Sequence, residues 1–510
     1  LRFVTLSRGY MASGEATTHF GLGKEDNIIE LSVKWPSGHL QVFKDLKANQ
    51  HFTITEPGKE PGAELQNPPE QKKQTLFTPL ASSLTNIKHN ETLFDDFERQ
   101  PLLPQKLSQL GPGMAWGDVD GDGDHDVYIA GARNKPGHLM RNDGKGDFLS
   151  VSQGAWMEDT AHEDMAALFF DSDGDGDLDL YVVSGGVECN PGDPILQDRI
   201  YLNDGEGLFA KAIKGTLPEM HDSGSVVNAC DFDRDGDLDL FVGGRVIPGR
   251  YPLPPKSHLL RNDNGKFTDV TEALAPGLSK IGMVTGAIWS DADNDQINDL
   301  LITCEWGPVR FFHNSGGKLE NRTSEAGLYN HWGWWNGIAG SDIDNDGDID
   351  YAVTNFGLNT KYHASMKKPT RLFYGDFGEK GEPRVVEAEY ENDILYPVRG
   401  RSCSSHAMPF LFDKFETFRG FASASLTDIY TPKTLSKSTQ FQATDFQSSI
   451  LINDGKGKFK FQPLPRIAQI APGFGLDFCD FNGDGNMDLY ILQNFHGPQA
   501  ETGHMAGGVS

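Results

Sequence analysis

Short apolar runs recur in pairs along most of the chain, and a polar loop of fixed length separates the members of each pair. The run before the loop is small and apolar (GMAWG, MAALFF, VVNAC, TGAIWS, NGIAGS, GFGLDFC). The run after it is richer in Val, Ile, Leu and Tyr (VYIAG, LYVVSG, LFVGG, LLITC, YAVTN, LYILQ). Runs of this length and composition, ending near Gly or Asn, predict a strand on each side of the loop. Downstream of most pairs comes a second apolar pair around Asn-Asp-Gly or a close variant: LMRNDGKGDF, YLNDGEGLF, LLRNDNGKF, FFHNSGGKL and ILINDGKGKF. Asn, Asp and Gly tolerate positive φ, so this second pair reads as a tight hairpin. The repeating unit is strand, loop, strand, strand, turn, strand. Four antiparallel strands per repeat make a propeller blade.

The loops are copies of one nonapeptide: DVDGDGDHD, DSDGDGDLD, DFDRDGDLD, DADNDQIND, DIDNDGDID and DFNGDGNMD. Positions 1, 3, 5 and 9 offer side-chain oxygens, position 7 offers its backbone carbonyl, and glycine at 4 or 6 lets the chain coil tightly. The donor sets are Asp118, Asp120, Asp122, Asp124 and Asp126; Asp171, Asp173, Asp175, Asp177 and Asp179; and Asp231, Asp233, Asp235, Asp237 and Asp239. They continue with Asp291, Asp293, Asp295, Ile297 and Asp299; Asp342, Asp344, Asp346, Asp348 and Asp350; and Asp480, Asn482, Asp484, Asn486 and Asp488. Four carboxylates held this close repel one another unless a cation sits among them. Calcium, a hard cation taking six to eight oxygens, suits the set. One acidic turn would be an ordinary solvated loop, but six in register predict about six calcium sites. Gln296 and Asn482 depart from the pattern and mark two weaker sites.

An EF-hand opens in the same way but needs a glutamate at position 12 and flanking helices. Here the twelfth residues are Ile129, Val182, Val242, Ile302, Val353 and Ile491, which read as inward-facing strand positions.

Successive loops start about 50 to 60 residues apart from Asp118 to Asp342, and then a longer gap precedes Asp480. RLFYGDFGEKGEPRVVE reads as the outer hairpin of the Asp342 blade, and ILINDGKGKF as the remnant of a further blade without its loop. The expected fold is therefore all-β: a seven-bladed β-propeller over residues 89–510, the last blade cut short at Ser510. A partly helical insertion is expected over 392–447, where Leu411, Phe415 and Phe418 have helical spacing. The segment HNETLFDDFERQPLLP, from His89, is a candidate closing strand for the ring.

Composition narrows the function. The 510 residues carry 73 acidic against 45 basic groups and a formal charge of −28, which disfavours nucleic acid as a partner because phosphate binding needs a basic face. No apolar run is long enough to span a bilayer. The five cysteines form no CxxC pair and fit buried thiols with at most a single disulfide. The chain opens inside an apparent strand, RFVTLS, as expected of a segment of a longer protein.

The nonapeptide resembles the FG-GAP/VCBS repeat of integrin α-subunit heads and many secreted bacterial proteins, in which the loop joins the first two strands of a blade and holds calcium. Residues 1–57, with HFGLGKEDNIIELSVKWPSGHLQVFKDLKANQHFTITEP and a turn from Trp35 to Gly38, are similar to the ASPIC/UnbV domain of cartilage acidic protein-like and bacterial surface proteins. Residues 58–88 then read as a linker. The resemblance implies residence outside the cell, at its surface or in the periplasm, and binding of a glycan or protein ligand.

Two further groups of residues bear on function. His331, Trp332, Trp334, Trp335 and Asn336 either fill a blade interface or stack on a sugar ring. A calcium-dependent polysaccharide lyase or hydrolase is the alternative to a binding module. Its candidate side chains are His331, Tyr362, His363, Arg399, Arg401 and His406, whose spacing defines no catalytic pair.

Overall fold

The computed structural model describes residues 18–35, 37–57, 77, 84, 87–151 and 154–509. RFVTLS, Pro36 of the Trp35–Gly38 turn and nearly all of the expected linker lie outside these residues. The chain divides into two compact units, 1–78 and 79–510.

In the first unit, β1 (Asn27–Lys34) pairs antiparallel with β2 (Leu40–Lys47). Their connection closes with the Trp35 N–H on the His39 carbonyl (2.8 Å) and the Gly38 N–H on the Trp35 carbonyl (2.9 Å).

The second unit is a β-propeller. Where a closing strand was expected it has a short helix, α1 (Asp96–Arg99). Asp95 accepts the Phe97 and Glu98 N–H groups and so starts a helical turn in place of an extended ladder. The segment instead ties connections together: Arg99 donates to the Cys189 carbonyl (2.5 Å) and Gln100 to that of Tyr251 (2.5 Å).

Four sheets then follow in strict chain order. The first holds β3 (Met114–Gly117), β4 (Asp126–Ile129), β5 (His138–Asn142) and β6 (Phe148–Ser150). The second holds β7 (Asp164–Phe170), β8 (Asp179–Ser184), β9 (Arg199–Asn203) and β10 (Phe209–Lys211). The third holds β11 (Gly224–Cys230), β12 (Asp239–Gly244), β13 (His258–Asn262) and β14 (Phe267–Asp269), after which comes α2 (Thr271–Leu274). The fourth holds β15 (Met283–Ser290), β16 (Asp299–Pro308), β17 (Arg310–Asn314) and β18 (Leu319–Asn321), with β19 (Trp332–Trp334) paired to the end of β16.

The fifth sheet corrects the expected placement of two hairpins. After β20 (Gly337–Ser341) and β21 (Asp350–Thr354), the chain leaves to build a separate sheet. That sheet contains β22 (Thr370–Gly375), β23 (Arg384–Glu391), β24 (Ile394–Pro397) and, after five short helices, β25 (Thr439–Ala443). It then returns to β26 (Ser449–Asn453) and β27 (Phe459–Pro463), and Tyr351 pairs with Leu451. ILINDGKGKF therefore completes the Asp342 blade and needs none of its own, while the RLFYGDFGEKGEPRVVE hairpin belongs to the inserted sheet. A sixth sheet, β28 (Leu476–Cys479), β29 (Asp488–Phe495) and β30 (Met505–Val509), follows. Among the described residues six sheets carry an acidic loop, and ILINDGKGKF forms no separate loopless blade.

The helices of the insertion are α3 (Arg401–Ala407), α4 (Phe410–Lys414), α5 (Phe418–Ala422), α6 (Leu426–Tyr430) and α7 (Pro432–Lys437). The expected single helix through Leu411, Phe415 and Phe418 is broken. Thr417 caps a new helix by accepting the Gly420 N–H, and Phe418 stays exposed against the Arg401 guanidinium. Leu411 alone of the three is fully buried, with Phe373, Val386, Ile429 and Tyr430.

The inner strands β3, β7, β11, β15, β20 and β28 lie side by side in that order. Apolar cores fill the spaces between successive sheets: Tyr128 and Leu139 against Leu180 and Tyr201, Tyr181 and Val183 against Leu240 and Leu260, Phe241 and Leu259 against Leu300 and Phe312. Burying each such side chain contributes about 1.5–3 kcal/mol, so stability is spread over interfaces between neighbours. Trp334 and Trp335 are buried in this packing, Trp334 with its ring centroid 4.7 Å from that of Phe356 and Trp335 at 5.7 Å from Phe461. These two fill interfaces, whereas Trp332 is half-buried beside Tyr329.

Candidate metal centres

Each acidic loop joins the first two strands of its sheet and is shaped by its own carboxylates. The first aspartate accepts backbone N–H groups from positions 4 to 6: Asp118 takes Gly121 (2.8 Å) and Gly123 (2.9 Å), and Asp480 takes Gly483 (2.7 Å) and Gly485 (2.8 Å). Position 5 accepts the N–H of position 7, as in Asp175 with Asp177 (3.0 Å) and Asp346 with Asp348 (3.0 Å). Positions 4 and 6 have positive φ in every copy, which explains their residues. Position 4 is Gly121, Gly174, Arg234, Asn294, Asn345 or Gly483, and position 6 is glycine except for Gln296 at φ 67°.

Position 9 is buried in the first five sheets. One of its oxygens accepts the N–H of position 2 and the other accepts the asparagine that opens the hairpin turn. Asp179 Oδ2 receives Ser172 (3.1 Å) and Oδ1 receives Asn203 (2.8 Å), while Asp239 receives Phe232 (3.1 Å) and Asn262 (2.8 Å). These aspartates weld the loop to the turn besides facing the candidate site. Burial pushes Asp239 up to about 7 and Asp299 up to about 6, against the pull of those backbone hydrogen bonds.

Carboxylate oxygens converge as the sequence pattern requires. Asp118, Asp120 and Asp122 approach one another within 4.8 Å, as do Asp291, Asp293 and Asp295; the sets Asp171, Asp173, Asp179 and Asp231, Asp233, Asp239 do so through position 9. Position 3 has the least satisfied oxygens. Asp120 Oδ1, Asp233 Oδ1 and Asp293 Oδ1 are buried and have no hydrogen-bond partner. Burial raises Asp233 and Asp173, and the neighbouring position 5 carboxylates add to it. An all-oxygen set with unmet buried lone pairs fits calcium.

The loops are not equivalent. Arg141 Nη1 lies 3.2 Å from Asp120 Oδ2, and His313 Nδ1 lies 3.1 Å from Asp293 Oδ2 and 3.2 Å from Asp299 Oδ1. Sequence reasoning missed both groups, although each stands immediately before the turn asparagine (RN in LMRNDG, HN in FFHNSGG). In the sixth loop Asn482 donates to Asp488 Oδ2 (3.1 Å) and Asn486 to Asp484 Oδ1 (3.0 Å), so amides meet part of the carboxylate charge there.

Of the enzyme candidates, only Tyr362 and Arg399 meet in one hydrogen-bond network, and the other four have separate polar partners. His331 stacks on Phe461, Arg401 donates to the Phe415 carbonyl, and His406 is tied to the Ser402 carbonyl. His363 is exposed and its backbone N–H reaches Glu389 (2.6 Å). Tyr362 and Arg399 share the buried Glu387. All five cysteines are free thiols, with Cys189, Cys230 and Cys304 buried.

The chain belongs to the FG-GAP-repeat propeller proteins that carry an ASPIC and UnbV domain. Residues 118–182, 188–242, 291–353 and 441–491 match the FG-GAP-like repeat, and residues 1–61 match ASPIC and UnbV. Its relatives include cartilage acidic protein 1 of Mus musculus, 23% identical over 357 residues (63% of this chain, 51% of that protein), and of Homo sapiens, 24% identical over 362 residues (63% and 50%). The chain thus spans about half the length of these relatives. The V. cholerae biofilm matrix protein Bap1 aligns over 80% of each chain at 11% identity with a TM-score of 0.31, too loose a likeness to argue from.

Proposed function

We propose that the chain is a calcium-stabilised binding module that works outside the cell, at its surface or in the periplasm, and takes a glycan or protein ligand. The unpartnered buried oxygens of Asp120, Asp233 and Asp293 carry this reading, because they place unmet acceptors inside loops already rich in carboxylates. Calcium would neutralise each loop and hold it against the turn of its own sheet. The millimolar calcium outside cells suits such loops better than the cytosol does.

The face formed by the longer connections, away from the acidic loops, is the ligand-binding side in this reading. Catalysis would need a base and an acid on one wall, whereas of the six candidates only Tyr362 and Arg399 share a hydrogen-bond network, through Glu387. Calorimetric titration of chelator-stripped protein with calcium, followed by retention on a panel of immobilised polysaccharides with product analysis, tests the proposal. Calcium uptake at about six sites with retention and no new ends supports it; new unsaturated or reducing ends would make it an enzyme.

A further inference from the structure

Where the insertion meets the connection between β29 and β30, a cavity of about 380 Å³ opens, within the roughly 300–1,000 Å³ typical of small-molecule sites. Its wall includes Lys361, Arg399, Cys403, Gln499, Glu501 and Thr502. Gln499 is only 3% exposed. Its Nε2 donates to Thr502 Oγ1 (3.0 Å), but its Oε1 is buried with no partner. A buried acceptor left unmet is costly, and this one belongs to a side chain that lines the cavity.

Lys361 offers charge. Its ammonium lies 3.8 Å from Glu387 Oε1, the nearest carboxylate recorded for it among the described residues. That carboxylate is already engaged: the Tyr362 hydroxyl donates to Oε1 and Arg399 Nε to Oε2 (3.3 Å). Glu501, half-exposed at the mouth, is likewise taken by Arg399 Nη1 (2.8 Å) and by the Cys403 thiol (3.1 Å). Two cations therefore share one buried carboxylate, and burial lowers the Lys361 pKa despite Glu387. A dianion such as phosphate would bring two negative charges beside Glu387 and Glu501, where a monoanion brings one. A neutral hexose would add no negative charge near the ammonium, whose carboxylate is already divided among Lys361, Tyr362 and Arg399.

We propose that this cavity binds a uronic acid, its carboxylate paired with Lys361 and a ring hydroxyl donating to Gln499 Oε1. The inference rests on the glycan-binding reading and deepens it by naming the sugar class. It is tested by calorimetry on the calcium-loaded full chain with D-glucuronate, D-galacturonate and glucose, and by retention on pectate. The uronates should bind and glucose should not, and Lys361→Met and Gln499→Leu should each weaken uronate binding about tenfold with unchanged melting. If a variant fails to fold, acylation of Lys361 in the unaltered protein gives the answer, since saturating galacturonate should slow it several-fold. Equal binding of glucose, no uronate binding, or an unprotected Lys361 would overturn the site. Pectate retention without binding of the free sugars and with Lys361→Met unaffected would sink this cavity and leave the binding module standing. Free uronate binding without pectate retention would keep the cavity and make a free sugar acid its ligand.

Discussion

The side-chain amide of Asn203 in the second sheet donates to the carbonyl of Val119 in the acidic loop of the first, at 2.8 Å. The same bond recurs from Asn262 to Ser172 (2.8 Å), from Asn314 to Phe232 (2.8 Å) and from Asn453 to Ala292 (2.9 Å). Each amide also donates to a carbonyl of its own loop, such as Leu178 (3.1 Å) for Asn203. A turn asparagine thus clasps its own loop and the one before it, and the candidate metal centres are coupled to blade packing.

Replacing one clasp should cost more than an ordinary surface change. In Asn262→Ala the carbonyls of Ser172 and Leu238 lose their donor, and an unmet buried group costs about 1–3 kcal/mol. Urea denaturation with calcium present should show a loss of about 2–4 kcal/mol. A loss below about 0.5 kcal/mol would mean that water replaces the amide freely.

Calcium should stabilise the propeller by mass action, each loop adding about 2.7 kcal/mol when calcium stands at 100 times its dissociation constant. Scanning calorimetry with and without chelator should show a lower melting temperature on removal and recovery on re-addition. Asp231→Ala should delete one binding equivalent in a calcium titration. Identical melting in both buffers would contradict the metal reading.

Gln296 occupies the left-handed position that the other five loops give to glycine. Gln296→Gly should relieve about 1 kcal/mol of backbone strain and tighten calcium binding at the fourth loop. Unchanged stability and affinity would show that the loop tolerates this φ without cost.

His258 lies between Asp269 (Nδ1 to Oδ2, 2.8 Å) and Asp222 (Nε2 to Oδ2, 3.3 Å). Burial opposes its charge, but the hydrogen bonds to the two carboxylates outweigh it and raise the imidazole to about 9. The folded pKa lies above the unfolded value near 6.5, so the stabilisation is complete below pH 6.5 and is lost as pH rises through 9. Unfolding free energies should fall by up to about 3 kcal/mol over that window, at roughly 1.4 kcal/mol per unit. In His258→Asn the slope should vanish, and an equal slope in the variant would assign it elsewhere.

The loops and turns were legible because few residues satisfy their geometry. Positive φ at positions 4 and 6 selects glycine and asparagine, and the clustered oxygens leave aspartate in a recognisable spacing. The partner of β21 was not legible. Tyr351 and Leu451 are neighbours in the ladder, but the inserted sheet separates them in sequence, and periodicity reports only local order. The structural half of position 9 was hidden for a related reason, since Asp350 accepts from Asn453 at a sequence separation of 103 residues. Arg141 and His313 stood in plain view, but one residue before a turn carries no rule that aims a side chain at a loop.

The direction of the asparagine clasp also sets an order of closure. Every clasp comes from the sheet that follows, so an emerging chain leaves each loop open until the next turn has been made. The first three intervals are 84, 90 and 82 residues, whereas the fourth is 161 because the insertion intervenes. The Asp291 loop therefore has no turn asparagine to latch it until the whole inserted sheet has been made.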